Sequence, residues 1–277
     1  MIKLLAVDID GTLLDSRGRI PEANVAALHR VAALGVEVVV ATGRSFHFAL
    51  QALGSLPDAI TLLVHNGAIA RTRTGTTIFR RLLPRAAALQ ALRATAPWRG
   101  DVVAIFDRPR DGQMVYDRLD WEHPNRRRFR QKNRAVILQV PLLEDAMTED
   151  PIQLAFNGDV EAMRAVVSHL AQQPVALDLE ISRTEYPDRD FAIVDVCSVG
   201  TTKASGLASI ASHFRVPRAE VMAVGDNHND LDMLTWAGTG VVMGNAQPAL
   251  HAAGLPITGT NDHAGLAQAI DRFIPGV

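Results

Sequence analysis

Several things are scarce in this sequence of 277 residues, and each scarcity excludes something. There is one cysteine, Cys197, so the chain can form no internal disulfide and no thiol-built zinc or iron–sulfur centre. A reducing, cytoplasmic setting is the expectation. Charge of one sign is also missing: 28 Lys+Arg stand against 30 Asp+Glu, leaving -2 at neutral pH. That balance lacks the basic surplus on which binding to a phosphate backbone draws, so nucleic acid is not expected as a partner. No uninterrupted apolar run nears the ~20 residues of a membrane-spanning helix. The first apolar stretch, Ile2 to Val7, runs into Asp8 and Asp10 and not into a cleavage site, so neither secretion nor membrane anchoring is expected. No internal repeat is visible. What is present is a composition 48% hydrophobic and 21% charged, enough for one large domain or two modest ones.

Lys3 to Val7 is too short for a helix and ends in Asp-Ile-Asp-Gly, so it reads as a buried strand breaking into a loop. Val25, Leu28 and Val31 recur at three-residue steps between Pro21 and Gly35, the pattern of an amphipathic helix. Val36 to Ala41 and Thr61 to Val64 are again continuous apolar runs, ended by Thr-Gly-Arg and by His-Asn-Gly. Strand, helix, strand, helix, strand predicts an α/β fold, a doubly wound parallel sheet of Rossmann-like type. The same grammar returns at the end of the chain, with strands at Val221 to Val224 and Gly240 to Met243 and helices at Leu231 to Ala237 and Ala264 to Phe273. The middle differs. Strand-like runs at Val102, Val136, Ile152 and Ala176 alternate with helical stretches from Arg85 and Val160, which predicts an inserted α+β domain. The expected division is 1–81 and 187–277 for the core and 82–186 for the insert.

Open parallel sheets bind ligands at the carboxyl ends of their strands. Asp8 and Asp10 lie at one such end, two residues apart, and point to one side if strand geometry persists. One carboxylate can attack phosphorus while the other handles the leaving-group proton; a turn followed by a helix cap fits the same residues. Thr42 offers a hydroxyl and neighbouring N–H groups that can hold an anionic oxygen, or an ordinary strand-to-helix turn. Lys203 opens a helix, where the dipole disfavours a cation unless an anion such as phosphate faces it. Asp226, Asn229 and Asp230 crowd one loop after a strand and suit a hard cation such as Mg²⁺, or form a solvated acidic loop.

In this order the motifs Asp8-x-Asp10-Gly-Thr-Leu, Ala-Thr42-Gly-Arg, Lys203 and Gly-Asp226-x-x-Asn229-Asp230 resemble those of the haloacid dehalogenase superfamily, in particular its Cof-type phosphatases. Ala204 stands where such relatives usually carry glycine. The resemblance implies an aspartyl-phosphate mechanism with Asp8 as nucleophile and Asp10 as acid, then base. It implies Mg²⁺ held by Asp8, the Asp10 carbonyl and Asp226, with Asp230 in the outer shell. It further implies phosphoryl oxygens bound by Thr42 and Lys203, with Asn229 and the backbone of Gly43 and Arg44 close by. The stretch between Asp10 and Thr42 has room for a helix and a strand only, whereas that between Thr42 and Lys203 has room for a domain. In the superfamily an insert at this place is a type-two cap, which roofs the active site and selects substrates. Small phosphorylated metabolites, sugar phosphates or cofactor precursors, are the implied substrates. A phosphomutase or other phosphotransferase on the same scaffold is the alternative, separated by whether phosphate is released. A catalytically silent binding protein is a third reading, which the intact acidic and basic positions disfavour. The sequence says nothing of oligomeric state.

Other features read as follows. Cys197 is a buried small hydrophobe, and Met222, Met233 and Met243 are core. His228 is placed at the surface, and Gly238 to Gly244 has the wrong spacing for a dinucleotide loop. His65-Asn66-Gly67 marks the crossing toward the insert, or a tight turn without function. The run Arg126, Arg127, Arg128, Arg130, Lys132 and Arg134 is either a solvated face whose members behave alike, or a place where one or two arginines grip a second acidic group of the substrate. The loop from Tyr186 to Asp190 is the other place for specificity.

Overall fold

The computed structural model describes residues 1–54, 56–109 and 112–275, without the side chains of residues 125, 128, 129, 132, 133 and 187. In chain order the strands are β1 (Leu4–Val7), β2 (Glu37–Ala41), β3 (Ile60–Val64), β4 (Ile69–Thr72), β5 (Thr77–Arg80), β6 (Val102–Ile105) and β7 (Met114–Tyr116). They continue with β8 (Ile137–Gln139), β9 (Gln153–Gly158), β10 (Leu179–Tyr186), β11 (Phe191–Ser198), β12 (Val221–Gly225) and β13 (Thr239–Val242). The chain divides into two compact units, Met1–Arg80 with Thr201–Val277, and Arg81–Gly200.

The first unit is built on a seven-stranded sheet in the order β13-β12-β1-β2-β3-β4-β5. Its first five strands are mutually parallel. β1 and β12 are buried along their whole length, which is why their sequences are continuous apolar runs and do not alternate. Val7 is paired with Val224 on one side and with Val40 on the other. The residues that follow these strands, Asp8, Asp226 and Thr42, are therefore brought side by side. Val25 and its helical neighbours form helix Glu22–Ala33, and Met222, Met233 and Met243 are fully buried as expected.

The second unit is a six-stranded sheet in the order β10-β11-β9-β6-β7-β8. Alternate residues along its strands, Val102, Ala104 and Phe106 or Ala192, Val194 and Val196, join helices Arg85–Ala94 and Val160–Ala171 in one buried cluster. Arg99 lies buried in this unit, bonded to Asp117 through Nε at 3.0 Å and Nη2 at 2.7 Å, with Glu144 as a second partner.

Three expectations give way here. His65–Gly67 is not the crossing toward the insert: it is a turn with left-handed backbone at His65 and Asn66, after which β4 returns antiparallel to β3 and β5 extends the same sheet. Phe191–Ser198 belongs to the six-stranded sheet, because its backbone pairs antiparallel with both β9 and β10, so the compact insert runs on to Gly200. The basic run does not behave as one solvated face. On helix Pro124–Asn133, Arg126 is buried, with Asp101 at 2.5 Å, the Asn157 side chain at 2.8 Å and the Asp120 carbonyl at 3.1 Å. Arg127 pairs with exposed Glu122, and Arg130 stands 5.1 Å from the Trp121 ring centre. The side chains of Arg128 and Lys132 lie outside the described residues.

Candidate active site

β1 ends at Val7, so Asp8 and Asp10 do not continue a pleat and take different surroundings. The loop between them is held by backbone bonds from Leu13 N–H to the Asp8 carbonyl, 3.1 Å, and from Leu14 N–H to the Ile9 carbonyl, 3.0 Å. Asp8 is 6% exposed. Its Oδ1 accepts from the Lys203 ammonium at 2.6 Å, and the same ammonium donates to Asp230 Oδ1 at 2.6 Å. Asp230 and Lys203 are buried at 0% and 1% exposure. Burial alone would lower the Lys203 pKa, yet Asp230 and Asp8 hold it above its ordinary value, so the ammonium stays charged.

A cation at this helix start is accounted for within the chain, besides any phosphate that would face it. Two carboxylates already face it, and the amino end of helix Lys203–His213 is capped from within. Thr202 Oγ1 accepts from Ser205 N–H at 3.2 Å, Ser205 Oγ accepts from Thr202 N–H at 3.1 Å, and Asp232 accepts from Ala204 N–H at 3.2 Å.

Asp226 follows β12. Its Oδ1 accepts from Thr12 Oγ1 at 2.8 Å, and its N–H, with that of Asn227, is bonded to Asp230 Oδ2 at 3.1 and 3.0 Å. Gly11, with φ +84°, lies so close that a Cβ there would sit 2.3 Å from Asp226 Oδ2. Burial, then the charge of Asp230, raise Asp226 to about 7. Asp8 is likewise pushed well above the usual carboxylate range, by burial first and then by Asp230 and Asp226 against the opposing pull of Lys203.

Oxygens of Asp8, Asp226 and Asp230 lie within 4.8 Å of one another. Three carboxylates against a single ammonium leave excess negative charge in a buried place. An all-oxygen donor set with that excess fits a hard divalent cation, and these residues can hold one.

Thr42 follows β2 and is buried. Its N–H donates to the Leu63 carbonyl at 2.8 Å, and its hydroxyl accepts from Arg44 N–H at 3.1 Å. Of the three N–H groups at 42–44, that of Gly43 alone has no protein acceptor among the described residues. Asn229 Nδ2 donates to Asn66 Oδ1 at 3.3 Å. A Cβ on Gly43 would approach that same Asn66 oxygen to 2.9 Å. The structure thus gathers Asp8, Lys203, Asp226 and Asp230 in one cluster, and Thr42, Gly43 and Asn229 around Asn66. The Arg44 side chain meets Asp10, Nε to Oδ2 at 2.8 Å and Nη2 to Oδ1 at 2.5 Å. His228 is exposed, as expected.

Thr12, Asn66 and Asn245 are members of this site that the sequence reading leaves out. Asn245 Nδ2 donates to the Gly11 carbonyl at 2.8 Å, and its Oδ1 accepts from Asn261 N–H at 2.8 Å. The left-handed φ of Asn66, the residue type that best tolerates it after glycine, is the local signal that Asn-Gly was more than a loop.

Residues 5–270 match the haloacid dehalogenase-like hydrolases, and the chain belongs to that family. It is 27% identical over 273 residues to the 5-amino-6-(5-phospho-D-ribitylamino)uracil phosphatase YcsE of Bacillus subtilis, covering 99% of this chain and 96% of that protein. The solved structure of the HAD subclass IIB sugar phosphatase BT4131 superposes with a TM-score of 0.76 at 26% identity, over 98% of each chain. The chain also aligns, at 26% identity over 284 residues and 96% of its own length, with 45% of the length of a chloroplastic endoribonuclease, YBEY, of Arabidopsis thaliana. The family is of Cof type, and the chain is a phosphoric monoester hydrolase.

Proposed function

We propose that the protein is a Mg²⁺-dependent phosphatase of small phosphorylated metabolites, sugar phosphates or cofactor precursors, acting through an aspartyl-phosphate on Asp8. The observation that carries this reading is the Asp8 carboxylate at the end of β1, tied at 2.6 Å to a buried ammonium and within 4.8 Å of Asp226 and Asp230. The substrates of relatives, a phosphoribitylamino-uracil and sugar phosphates, support the class.

Mg²⁺, when bound by Asp8, the Asp10 carbonyl and Asp226, supplies positive charge that lowers repulsion between an anionic nucleophile and an anionic phosphoryl group. The chain's own residues do the rest. Lys203 fixes the orientation of Asp8 and offers its charge to the transferred group; Thr42 and the free Gly43 N–H receive its oxygens, with Asn229 alongside. An Asp8 oxygen forms a bond to phosphorus as the bond to the leaving oxygen breaks, and Asp10 delivers a proton to that oxygen. Asp10 then takes a proton from the water that attacks phosphorus, and phosphate leaves as Asp8 is regenerated. Asp230 anchors Lys203 and the backbone of the Asp226 loop, an outer-shell role. Substrate choice falls, in this reading, to the inserted unit, Arg81–Gly200. Steady-state phosphate release over a panel of phosphorylated metabolites, with Mg²⁺ and with Asp8→Asn as control, tests the reading; release at the parent rate from Asp8→Asn overturns it.

A further inference from the structure

Of Asp8, Asp10, Asp226 and Asp230, Asp10 alone is exposed. It sits beyond the end of β1, its side chain is 63% exposed, and Arg44 is the one partner its carboxylate has among the described residues. The backbone beneath it is pinned by Leu13, Leu14 and Asn245, but none of these bonds fixes the carboxylate. A carboxylate on a loop, next to the like charges of Asp8, Asp226 and Asp230, is driven outward and free to rotate unless something holds it.

Arg44 is built to hold it. The guanidinium meets both carboxylate oxygens through Nε and Nη2, the fork-on-fork geometry that fixes a plane as well as a distance. Its own backbone is anchored at both ends, N–H to Thr42 Oγ1 at 3.1 Å and carbonyl to His65 N–H at 3.1 Å. The fork is therefore carried by a segment fixed to the ends of β2 and β3. We infer that Arg44 is a positioning residue, which sets the Asp10 carboxylate for proton transfer and takes no direct part in gripping substrate. The inference rests on the reading of Asp10 as acid and base given above.

The test is a double-mutant cycle of Arg44→Met and Asp10→Asn, read with phenyl phosphate and 4-nitrophenyl phosphate in Mg²⁺. Phenyl phosphate has the poorer leaving group and needs the proton more. Arg44→Met should lower kcat for phenyl phosphate about tenfold more than for the nitrophenyl ester, with KM within about threefold of the parent. In the Asp10→Asn background the same change should cost less than about twofold, because the group it positions is gone. Arg44→Lys keeps the charge but not the fork, so it should follow Arg44→Met; it also serves if the methionine variant melts early. An equal loss with and without Asp10, or a raised KM for both esters at unchanged kcat, overturns the positioning role. The Asp10→Asn single variant judges the underlying reading separately. If it costs both esters equally the acid role fails, while non-additivity with Arg44 still decides whether Arg44 acts through Asp10.

Discussion

A lysine with 1% exposure stays charged only because Asp8 and Asp230 face it at 2.6 Å each. Its removal takes charge from the proposed phosphoryl site and leaves two buried carboxylates opposed. Lys203→Met should lower kcat by about 10² to 10³ and destabilise the fold by about 3 to 5 kcal/mol, the usual cost of breaking a buried pair by deleting one partner. Phosphate release and urea unfolding check the two halves; an unchanged kcat would remove Lys203 from the reaction. Asp8→Asn keeps the shape and the bond to Lys203 but cannot supply an attacking carboxylate, so its turnover should fall by at least about 10³ with its melting temperature nearly unchanged.

At the scale of elements, the loop between β1 and Leu14 is the most demanding stretch. Gly11→Ala combines a φ of +84° with a Cβ 2.3 Å from Asp226 Oδ2, so Asp226 must move. Mg²⁺ affinity, by titration calorimetry, should weaken about tenfold, in the range seen when metal-site support is lost; parent affinity would contradict the close approach. In the second unit, burial would raise Asp117, but hydrogen bonds from Arg99 and from Leu143 N–H bring it below its ordinary value. A depressed carboxylate stabilises above its unfolded pKa and loses that stability as pH falls through the folded one. Unfolding free energy should therefore hold down to the ordinary carboxylate range, near pH 4, and decline below it. Asp117→Asn should flatten that acid limb, as urea titrations across pH would show.

The elements also show what could be read from sequence. β1, β2, β3 and β12 were legible because strands buried on both faces are continuous apolar runs closed by turn residues. The hairpin of β4 and β5 was not, since the apolar start of Ile69–Thr72 stops after two residues and Thr77–Arg80, on the sheet edge, exposes Thr77 and Arg80. β11 alternates cleanly, yet only its pairing with β9 and β10 shows which sheet it joins. Within the site, acidic spacing marked Asp8, Asp226 and Asp230. Thr12, Asn66 and Asn245 act through contacts with residues distant in sequence, and Arg126 looked like any other residue of a basic run until Asp101 and Asn157 came beside it.

For the whole molecule, no helix among the described residues is long and apolar enough to cross a membrane. Family membership, the acidic cluster and the buried lysine support the proposed phosphoryl transfer through Asp8. Activity should vanish on exhaustive chelation and return with Mg²⁺, as oxygen-only ligands require; full rates without a divalent cation would exclude the proposed cation role. The most direct measurement is an acid quench of a single turnover with substrate carrying radiolabelled phosphate. Acid-stable label on the protein, released by hydroxylamine and absent from Asp8→Asn, is the expected result. If Asp8→Asn acquires the label as the parent does, Asp8 is not the nucleophile and the central claim is contradicted.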